Sequence, residues 1–493
     1  MNQIPVIIMV LLLVSAAIVP VLKIKYMGSL RGFIMVVMSG AVVLALMNIQ
    51  QVLTFGESTI LFGGYSSKIG IEFYVSQLGS IFALFVLILS WVIILYSLKD
   101  MEHHIPKTKF ASYYTLVFLM LFSMMGMIFT HDMFNMYVFM EILSLTSAAI
   151  ISIKDKKENI LASFRYLLLN TIGSLSVLFG IALLYMVSGY LNMGELYQIM
   201  PTLIEFYPLN LLLAIGFMFM GLGIKSAMFP LHVWLPDAHS TAPSPSSALL
   251  SGIVVKIYIF TVLKLMVFVF GVDVIASLQV DVALQVLAII GMIMGSVFAI
   301  GQRDIKRMLA YSSVAQIGYI FLGLSLLTTA GIAASMFHVI THGIIKSALF
   351  LSAGAIIYKT DIRDLKQFNG MGYTMPFTMM VFSVAALGLI GIPGINGFMS
   401  KVYLSLAIVD YGQPWLLAAI LISSYLNAVY YLPIIINSFL RNDAKTQPNM
   451  ILEKLPKVMQ MSMVILLVLM IATGFYPQLF MSFIERAVVF LGI

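Results

Sequence analysis

The chain has 493 residues, of which 61% are hydrophobic and 10% charged, and its mean hydropathy is +1.05. Soluble globular proteins carry about 25% charged residues, so this composition excludes a soluble domain and indicates a polytopic membrane protein. The net charge of +7 does not signal nucleic-acid binding, because the basic residues sit in short loops, and the lack of cysteine excludes disulfides, thiolate chemistry and iron–sulfur ligation.

Fourteen apolar runs of spanning length follow along the chain, centred near residues 13, 42, 87, 120, 143, 174, 219, 258, 290, 316, 344, 385, 426 and 470. Runs this long without period-two alternation exclude a β-barrel, and the fold class expected is all-α. The first run, Ile4 to Leu22, has no basic n-region and no small-residue cleavage site, and reads as a retained span. In the fifth run, MFNMYVFMEILSLTSAAI, Glu141 lies centrally and is the only one of twenty acidic residues expected inside a span. A charge at mid-helix costs roughly 2.5–3.5 kcal/mol on insertion scales, so each such residue calls for a function or a partner.

The sixth run carries Arg165 eight positions before Gly173, and the eleventh carries Lys346 eight positions before Gly354. Spans four to eight and nine to thirteen then read as two copies. Because five crossings is an odd number, the second copy is inverted. Arg165 itself reads as reaching the inner interface.

Between the seventh and eighth runs lies GLGIKSAMFPLHVWLPDAHSTAPSPSSALLSGIVVK, residues 221 to 256. It has a lysine inside each flanking run, Lys225 and Lys256, and between them four prolines, His232, Asp237 and His239. Proline removes a backbone donor, so a helix carrying Lys225 is expected to break at Pro230, and broken helices beside ionisable groups build transporter ion sites. A plain loop with lysines reaching to headgroups fits less well, because Lys256 lies near the middle of its span. Lys264, eight residues on, is expected to reach the outer headgroups.

His338, His342 and Lys346 in the eleventh run recur every four residues and share one helical face over about 12 Å. Two imidazoles and an amine in register make a proton wire across half the bilayer. The twelfth run breaks at Gly391-Ile392-Pro393-Gly394, with Lys401 just after and Asn396 and Ser400 as polar partners. Of the 27 basic residues, nineteen fall in odd-numbered loops, two in even-numbered loops and the C-terminal tail, and six in or beside the runs. That split assigns the odd loops to the cytoplasm and both termini to the outside.

Burial disfavours the charged form of lysine and glutamate alike, and a nearby opposite charge restores it. A Glu141–Lys225 pair therefore holds the lysine charged, and parting the pair drives a proton toward Lys256.

These motifs resemble the proton-translocating, antiporter-like membrane subunits shared by Mrp-type cation/proton antiporters, complex I and membrane-bound hydrogenases. The resemblance rests on Lys225 to Lys256, on FMEILSL around Glu141, on DIKRMLAYSSVAQIGY, on FHVITHGIIKSALF and on NGFMSK, together spanning roughly residues 110 to 405. Departures are Gly394 in place of a second proline, Ile-Tyr-Ile-Phe after Lys256, and Met140 in place of an aromatic; none removes a titratable group. Lys401, where other members have glutamate, is similar to Mrp D-type and complex I N-type subunits.

The resemblance implies a single membrane domain over residues 1–493 with fourteen helices, the seventh and twelfth broken. It implies inverted five-helix repeats at about 111–270 and 281–440. It further implies proton transfer through Glu141, Lys225, Lys256, His338, His342, Lys346 and Lys401, with His232, Asp237, His239, Lys264 and Arg165 as accessory candidates. No cofactor and no metal are expected. The function implied is a proton-translocating subunit of an Mrp-type antiporter, with sodium as the candidate second ion, in a prokaryotic cell membrane. The alternative is the ion pump of a redox complex of hydrogenase, formate hydrogenlyase or quinone reductase type. Both require other membrane subunits as partners. A stand-alone solute carrier would not need the titratable row, and an inert scaffold would tolerate its neutralisation.

Overall fold

In lipid, backbone N–H and C=O groups have no partner but one another, and long apolar stretches therefore fold as helices. The computed structural model describes residues 3–22, 27–64, 70–440 and 453–490. Of the basic loop residues counted above, Lys23, Lys25, Lys68, Arg441 and Lys445 lie outside the described residues.

The chain opens with α1 (Ile4–Ile18) and α2 (Met27–Phe55). A short antiparallel hairpin follows, β1 (Ser58–Leu61) with β2 (Glu72–Val75), the one departure among the described residues from an all-helical chain. Next come α3 (Gln77–His104), α4 (Phe110–Phe129), α5 (Met133–Ser152), α6 (Lys157–Ser188), α7 (Met193–Phe206), α8 (Pro208–Lys225) and the short α9 (Trp234–Thr241). Then α10 (Ser244–Phe270) carries two π-turns, at Leu250–Val254 and Met266–Phe270. The second half comprises α11 (Val280–Ile300), α12 (Ile305–Leu324), α13 (Thr329–Thr360), α14 (Pro376–Ile390), α15 (Asn396–Asp410), α16 (Leu417–Leu440), α17 (Lys457–Phe475) and α18 (Pro477–Val489).

Each of the fourteen expected centres falls on one of these helices. Among the described residues, eleven helices are long and apolar enough to cross a membrane, and α1 and α14 are apolar but shorter. The protein is a multi-pass membrane protein.

Both expected breaks are present. The first comes earlier than Pro230, at Lys225, and helix resumes at Trp234. The Trp234 indole N–H takes up one freed carbonyl, that of Ile224, at 2.7 Å. At the second break Gly391 (φ +97°) and Gly394 (φ +91°) adopt left-handed backbone that a side chain disfavours.

Backbone bridges tie loops at both ends of the bundle, and one end adds ion pairs. At one end the odd-numbered loops are joined by ion pairs: Arg31–Glu102, Lys109–Asp155, and Arg363–Asp304 at 2.8 Å. At the other end the even-numbered loops are joined by backbone. His131 N–H donates to the Glu72 carbonyl at 2.8 Å, Met133 N–H to Leu191 at 2.9 Å, and Met193 N–H to His131 at 2.9 Å.

Helix packing inside relies on small residues. A Cβ on Gly221 would sit 2.3 Å from the Gly173 carbonyl oxygen, so α6 and α8 touch backbone to backbone there. The apolar windows of α10 and α13 are each 94% buried, against 44% for α6 and α11, which puts α10 and α13 at the centre of the bundle. These two helices carry Lys256 and the histidine row.

Candidate functional site

Lys225 ends α8 with its side chain wholly buried, and its Nζ donates to Ser144 Oγ at 2.6 Å. Ser144 Oγ lies 3.4 Å from the Tyr258 hydroxyl, and the Tyr258 ring centroid is 5.4 Å from the ammonium. Glu141 sits three residues before Ser144 on α5. Its Oε1 is buried without a protein partner, and no oxygen of it comes within 4 Å of Lys225. The hydroxyl of Ser144 thus stands on the lysine in place of the direct Glu141–Lys225 ion pair.

Lys256 is also wholly buried. Its Nζ donates to the Ser251 carbonyl, which belongs to the first π-turn of α10. A π-turn displaces the regular helical bonding by one residue, and carbonyls displaced this way are available to an amine in apolar surroundings. Ser251 Oγ in turn lies 3.0 Å from Ser313 Oγ of α12.

The neighbour of Ser313, Ser312, serves a second lysine. Lys346 Nζ donates to Ser312 Oγ and, at 2.8 Å, to the Leu309 carbonyl, and Ser312 Oγ is 2.9 Å from the Tyr431 hydroxyl. Consecutive serines on α12 therefore contact the groups that hold Lys256 and Lys346. One turn and two turns before Lys346 come His342 and His338, whose rings stack at 5.9 Å with 18° between planes. His338 Nδ1 is 2.9 Å from Ser400 Oγ, and its ring stacks on Tyr319 at 5.5 Å.

Lys401 closes the series on α15. Its Nζ donates to the Leu389 carbonyl at 2.7 Å, the Ile390 carbonyl at 3.0 Å and Ser424 Oγ at 2.9 Å, and stands 5.0 Å from the Tyr319 ring centroid. Ser424 Oγ continues to the Tyr319 hydroxyl at 3.2 Å. Lys401 borders an open cavity of about 330 Å³ together with Gly391, Ser405 and Ser424.

Several buried atoms along this line have no protein partner: both nitrogens of His342, Nε2 of His338, and both amide atoms of Gln316 and of Asn396. Buried polar atoms are nearly always satisfied, and groups like these are the usual hosts of internal water.

The accessory candidates do not join the row. Arg165 and Arg307 hold Asp237 between them at 2.7 and 3.0 Å, beside a cavity of about 400 Å³ at the ion-paired end. His232 is stacked on Phe229 at 5.2 Å within an aromatic cluster. His239 is fully buried against Phe350, with both ring nitrogens unpartnered. Lys264 does not reach outer headgroups: it is 4% exposed, and its Nζ donates to the Met127, Ile128 and Thr130 carbonyls, because the open end of α4 lies next to it.

Sequence reading missed Ser144, Ser251, Ser312, Ser313, Tyr319 and Ser424, since serine and tyrosine are common in apolar helices. Their only signal is position: Ser144 lies one turn from Glu141, and Ser312 and Ser313 are adjacent. It also missed Asp100, which is wholly buried in α3, so Glu141 is not alone among acids in a span-length helix. The apolar run of α3 ends before Asp100, but the helix continues to His104 and neighbours fold over it. Among the described residues, no group of three or more His, Asp or Glu side chains is gathered as a metal ion would require.

Residues 130–427 match the family model described as NADH:quinone oxidoreductase/Mrp antiporter, TM. The chain is 37% identical over 420 residues to NADH-quinone oxidoreductase subunit N of Desulforudis audaxviator, covering 83% of this chain and 81% of the relative. It is 28% identical over 446 residues to the D-type Na(+)/H(+) antiporter subunit of Bacillus subtilis, covering 90% and 89%. A chain of the archaeal membrane-bound sulfane sulfur reductase superposes with a TM-score of 0.90 at 29% identity, over 99% of this chain and 98% of the other.

Proposed function

The chain belongs to the NADH:quinone oxidoreductase/Mrp antiporter membrane family, and on that premise we propose that it carries protons along its buried row as an antiporter-like subunit of a larger membrane complex. The observation that carries this reading is the insertion of hydroxyls between buried amines and imidazoles. A hydroxyl both gives and accepts a proton, whereas a carbonyl only accepts, so a lysine on a serine has a partner able to pass charge on.

In this mechanism Lys225 moves between Ser144 and Glu141, one helical turn apart on α5. On the carboxylate the ammonium is held charged; on the hydroxyl it is free to release its proton. Lys256 is the central carrier, and with one carbonyl partner it keeps donors free for water. Protons then pass by Ser251, Ser313 and Ser312 to Lys346, along His342 and His338, and to Lys401 at its open cavity. Every step is proton transfer between the chain's own groups and water, with no cofactor.

The inverted repeats at about 111–270 and 281–440 are part of the same proposal. Two isolated backbone bridges support them, Asp132 with Asn192 at one end of the bundle and Asp304 with Asp364 at the other. The interval from Asp132 to Asp304 equals that from Asn192 to Asp364, 172 positions. Both Asp132 and Asp304 also cap the helix that follows, accepting from Asn135 N–H at 2.6 Å and Arg307 N–H at 2.9 Å. This interval aligns His338, His342 and Lys346 with Tyr166, Asn170 and Ser174, a register nine positions away from the Arg165–Lys346 match. We assign the ion-paired end to the cytoplasm and both termini to the outside of a prokaryotic cell membrane, following the distribution of basic residues.

A second reading concerns the complex. The relative named as a quinone oxidoreductase subunit is more alike (37%) than the antiporter subunit (28%), which favours a redox-driven assembly over a pure sodium/proton antiporter. Mass spectrometry of the complex that co-purifies with this chain decides between them: iron–sulfur subunits mark the redox version. For the proton path, Glu141→Ala and Lys225→Ala complexes in proteoliposomes are expected to assemble and to lose proton movement. Wild-type transport in both would eliminate the reading.

A further inference from the structure

The mechanism above leaves a wholly buried carboxylate unused. Asp100, in the last turn but one of α3, is wholly buried, and its Oδ2 lies 3.1 Å from Nε2 of His104, one turn on. Among the described residues neither carboxylate oxygen nor His104 Nε2 makes a hydrogen bond, so the two groups meet by proximity alone. The imidazole is 8% exposed, so the pair sits just beneath the surface at the end where the basic loops gather. Tyr96 of the same helix, Tyr113 and Tyr114 of α4, Lys154 of the α5–α6 loop and Lys306 of α12 all lie within electrostatic reach of the carboxylate.

We propose that Asp100 and His104 form a proton-loading site, taking protons from the side of the basic loops and handing them toward the buried row. This inference rests on the function proposed above and adds the place where protons enter. Two features separate the pair from an ordinary structural ion pair. A structural buried carboxylate needs its lone pairs filled, and here neither oxygen accepts a hydrogen bond, Oδ2 having only the His104 ring beside it. The groups on its inner side are also of the kind that relays protons. Tyr96, one turn back, donates to the Leu351 carbonyl of α13 at 3.0 Å. A Cβ on Gly354 of α13 would fall 2.5 Å from Ser244 Cβ and 3.2 Å from the Tyr96 hydroxyl, so α3, α10 and α13 converge there. Ser246 Oγ lies 3.4 Å from the Tyr113 hydroxyl, Ser244 Oγ is buried and unpartnered, and Lys306 Nζ donates to the Ala242 carbonyl, two residues before α10 begins. His239, with both nitrogens open, feels the charges of Lys306, Lys346 and Lys256. Hydroxyls and an imidazole therefore line the interval between Asp100 and the row.

The test uses the assembled complex in proteoliposomes with the pH of each side set separately, comparing Asp100→Asn, Asp100→Glu, His104→Gln and Lys256→Ala. Asp100→Asn is expected to assemble and to slow proton transport at least tenfold, and Asp100→Glu to keep more than half of the wild-type rate. His104→Gln is expected to move the dependence of rate on pH at the basic-loop side and leave the dependence at the opposite side unchanged. A purely structural pair would move neither profile. Wild-type rate and pH profile in Asp100→Asn, with Lys256→Ala inactive, would overturn the loading site alone. Wild-type transport in Lys256→Ala would instead overturn the proton path itself. If Asp100→Asn fails to assemble, an unchanged basic-side profile in His104→Gln overturns the proposal.

Discussion

Lys401 and Lys264 hold their ammonium groups in the same manner, each against the last carbonyls of a helix that ends beside it. Lys401 takes Leu389 and Ile390 at the end of α14, and Lys264 takes Met127 and Ile128 at the end of α4. A helix C-terminus carries partial negative charge and unfilled acceptors, so an ammonium there is stabilised without a carboxylate. The third partner separates the two. For Lys264 it is another carbonyl, Thr130, and all three donors end on groups that only accept. For Lys401 it is the Ser424 hydroxyl, beside an open cavity.

Lys264→Met is therefore expected to leave proton transport within about twofold of wild type. It should also lower the stability of the complex, by ~1–2 kcal/mol for the lost cap. Lys401→Met, which loses the same kind of cap, is expected to cost a similar amount of stability and in addition to abolish transport. Proton flux and thermal unfolding of the two variants, measured side by side, check the distinction; loss of flux in Lys264→Met would place that lysine in the path.

Ser144 makes a second prediction. Among the described residues its hydroxyl is the one hydrogen-bond partner of Lys225, and removing it leaves a buried ammonium with Glu141 as the nearby acid. Ser144→Ala is expected to bind the lysine to the carboxylate and slow transport about tenfold, equivalent to ~1.4 kcal/mol on the barrier. Ser144→Thr, which restores the hydroxyl, is expected to recover most of the rate. Equal rates in Ala and Thr variants would show that the hydroxyl takes no part.

How much of this was legible in the sequence follows from what each signal depends on. Lys225, Lys256, Lys346 and Lys401 stand out because charge is rare in apolar runs, and both helix breaks are visible because proline and glycine act locally. Ser312 and Ser313 carry no such contrast: their meaning comes from α12 packing where Ser251 of α10 and Lys346 of α13 both reach it. Asp100 was hidden for another reason, since it lies past the end of its apolar run and is buried only by tertiary packing around the end of α3. The Glu141–Lys225 pairing followed from opposite charge alone, and a serine one turn away carries no charge to compete with it.

The approach of α10 to α13 depends on two glycines. A Cβ on Gly343 would lie 2.8 Å from the Gly252 carbonyl oxygen and 2.5 Å from Phe85 Cζ, and one on Gly252 would lie 2.5 Å from Ser347 Oγ. The backbone contact cannot yield as a side chain can. Gly343→Ala is expected to force the π-turn of α10 away from α13, costing ~1–3 kcal/mol by overpacking. Because the Ser251 carbonyl that holds Lys256 is part of that turn, transport should fall as well. Thermal unfolding and proton flux of this variant check both effects; unchanged flux would show that the turn does not position Lys256.

Lys154 offers a direct titration. It follows α5 in the loop at the ion-paired end, and burial lowers its ammonium from the usual 10.5 to about 8, with Asp100 opposing the shift and Arg363 and Lys156 adding to it. The sign for stability follows from proton counts: between pH 8 and 10.5 the unfolded chain binds a proton at this site that the folded chain does not. Folding at this site is therefore favoured as pH rises through that interval and disfavoured below it. In ¹³C-dimethylated protein, the Lys154 methyl resonance is expected to titrate near 8, below the usual 10.5 of a lysine. Because Asp100 supports the charged form, Asp100→Asn is expected to move the Lys154 midpoint further down. An unchanged midpoint in that variant would mean that the carboxylate and the amine do not sense each other, and would remove Lys154 from the surroundings of the Asp100–His104 pair.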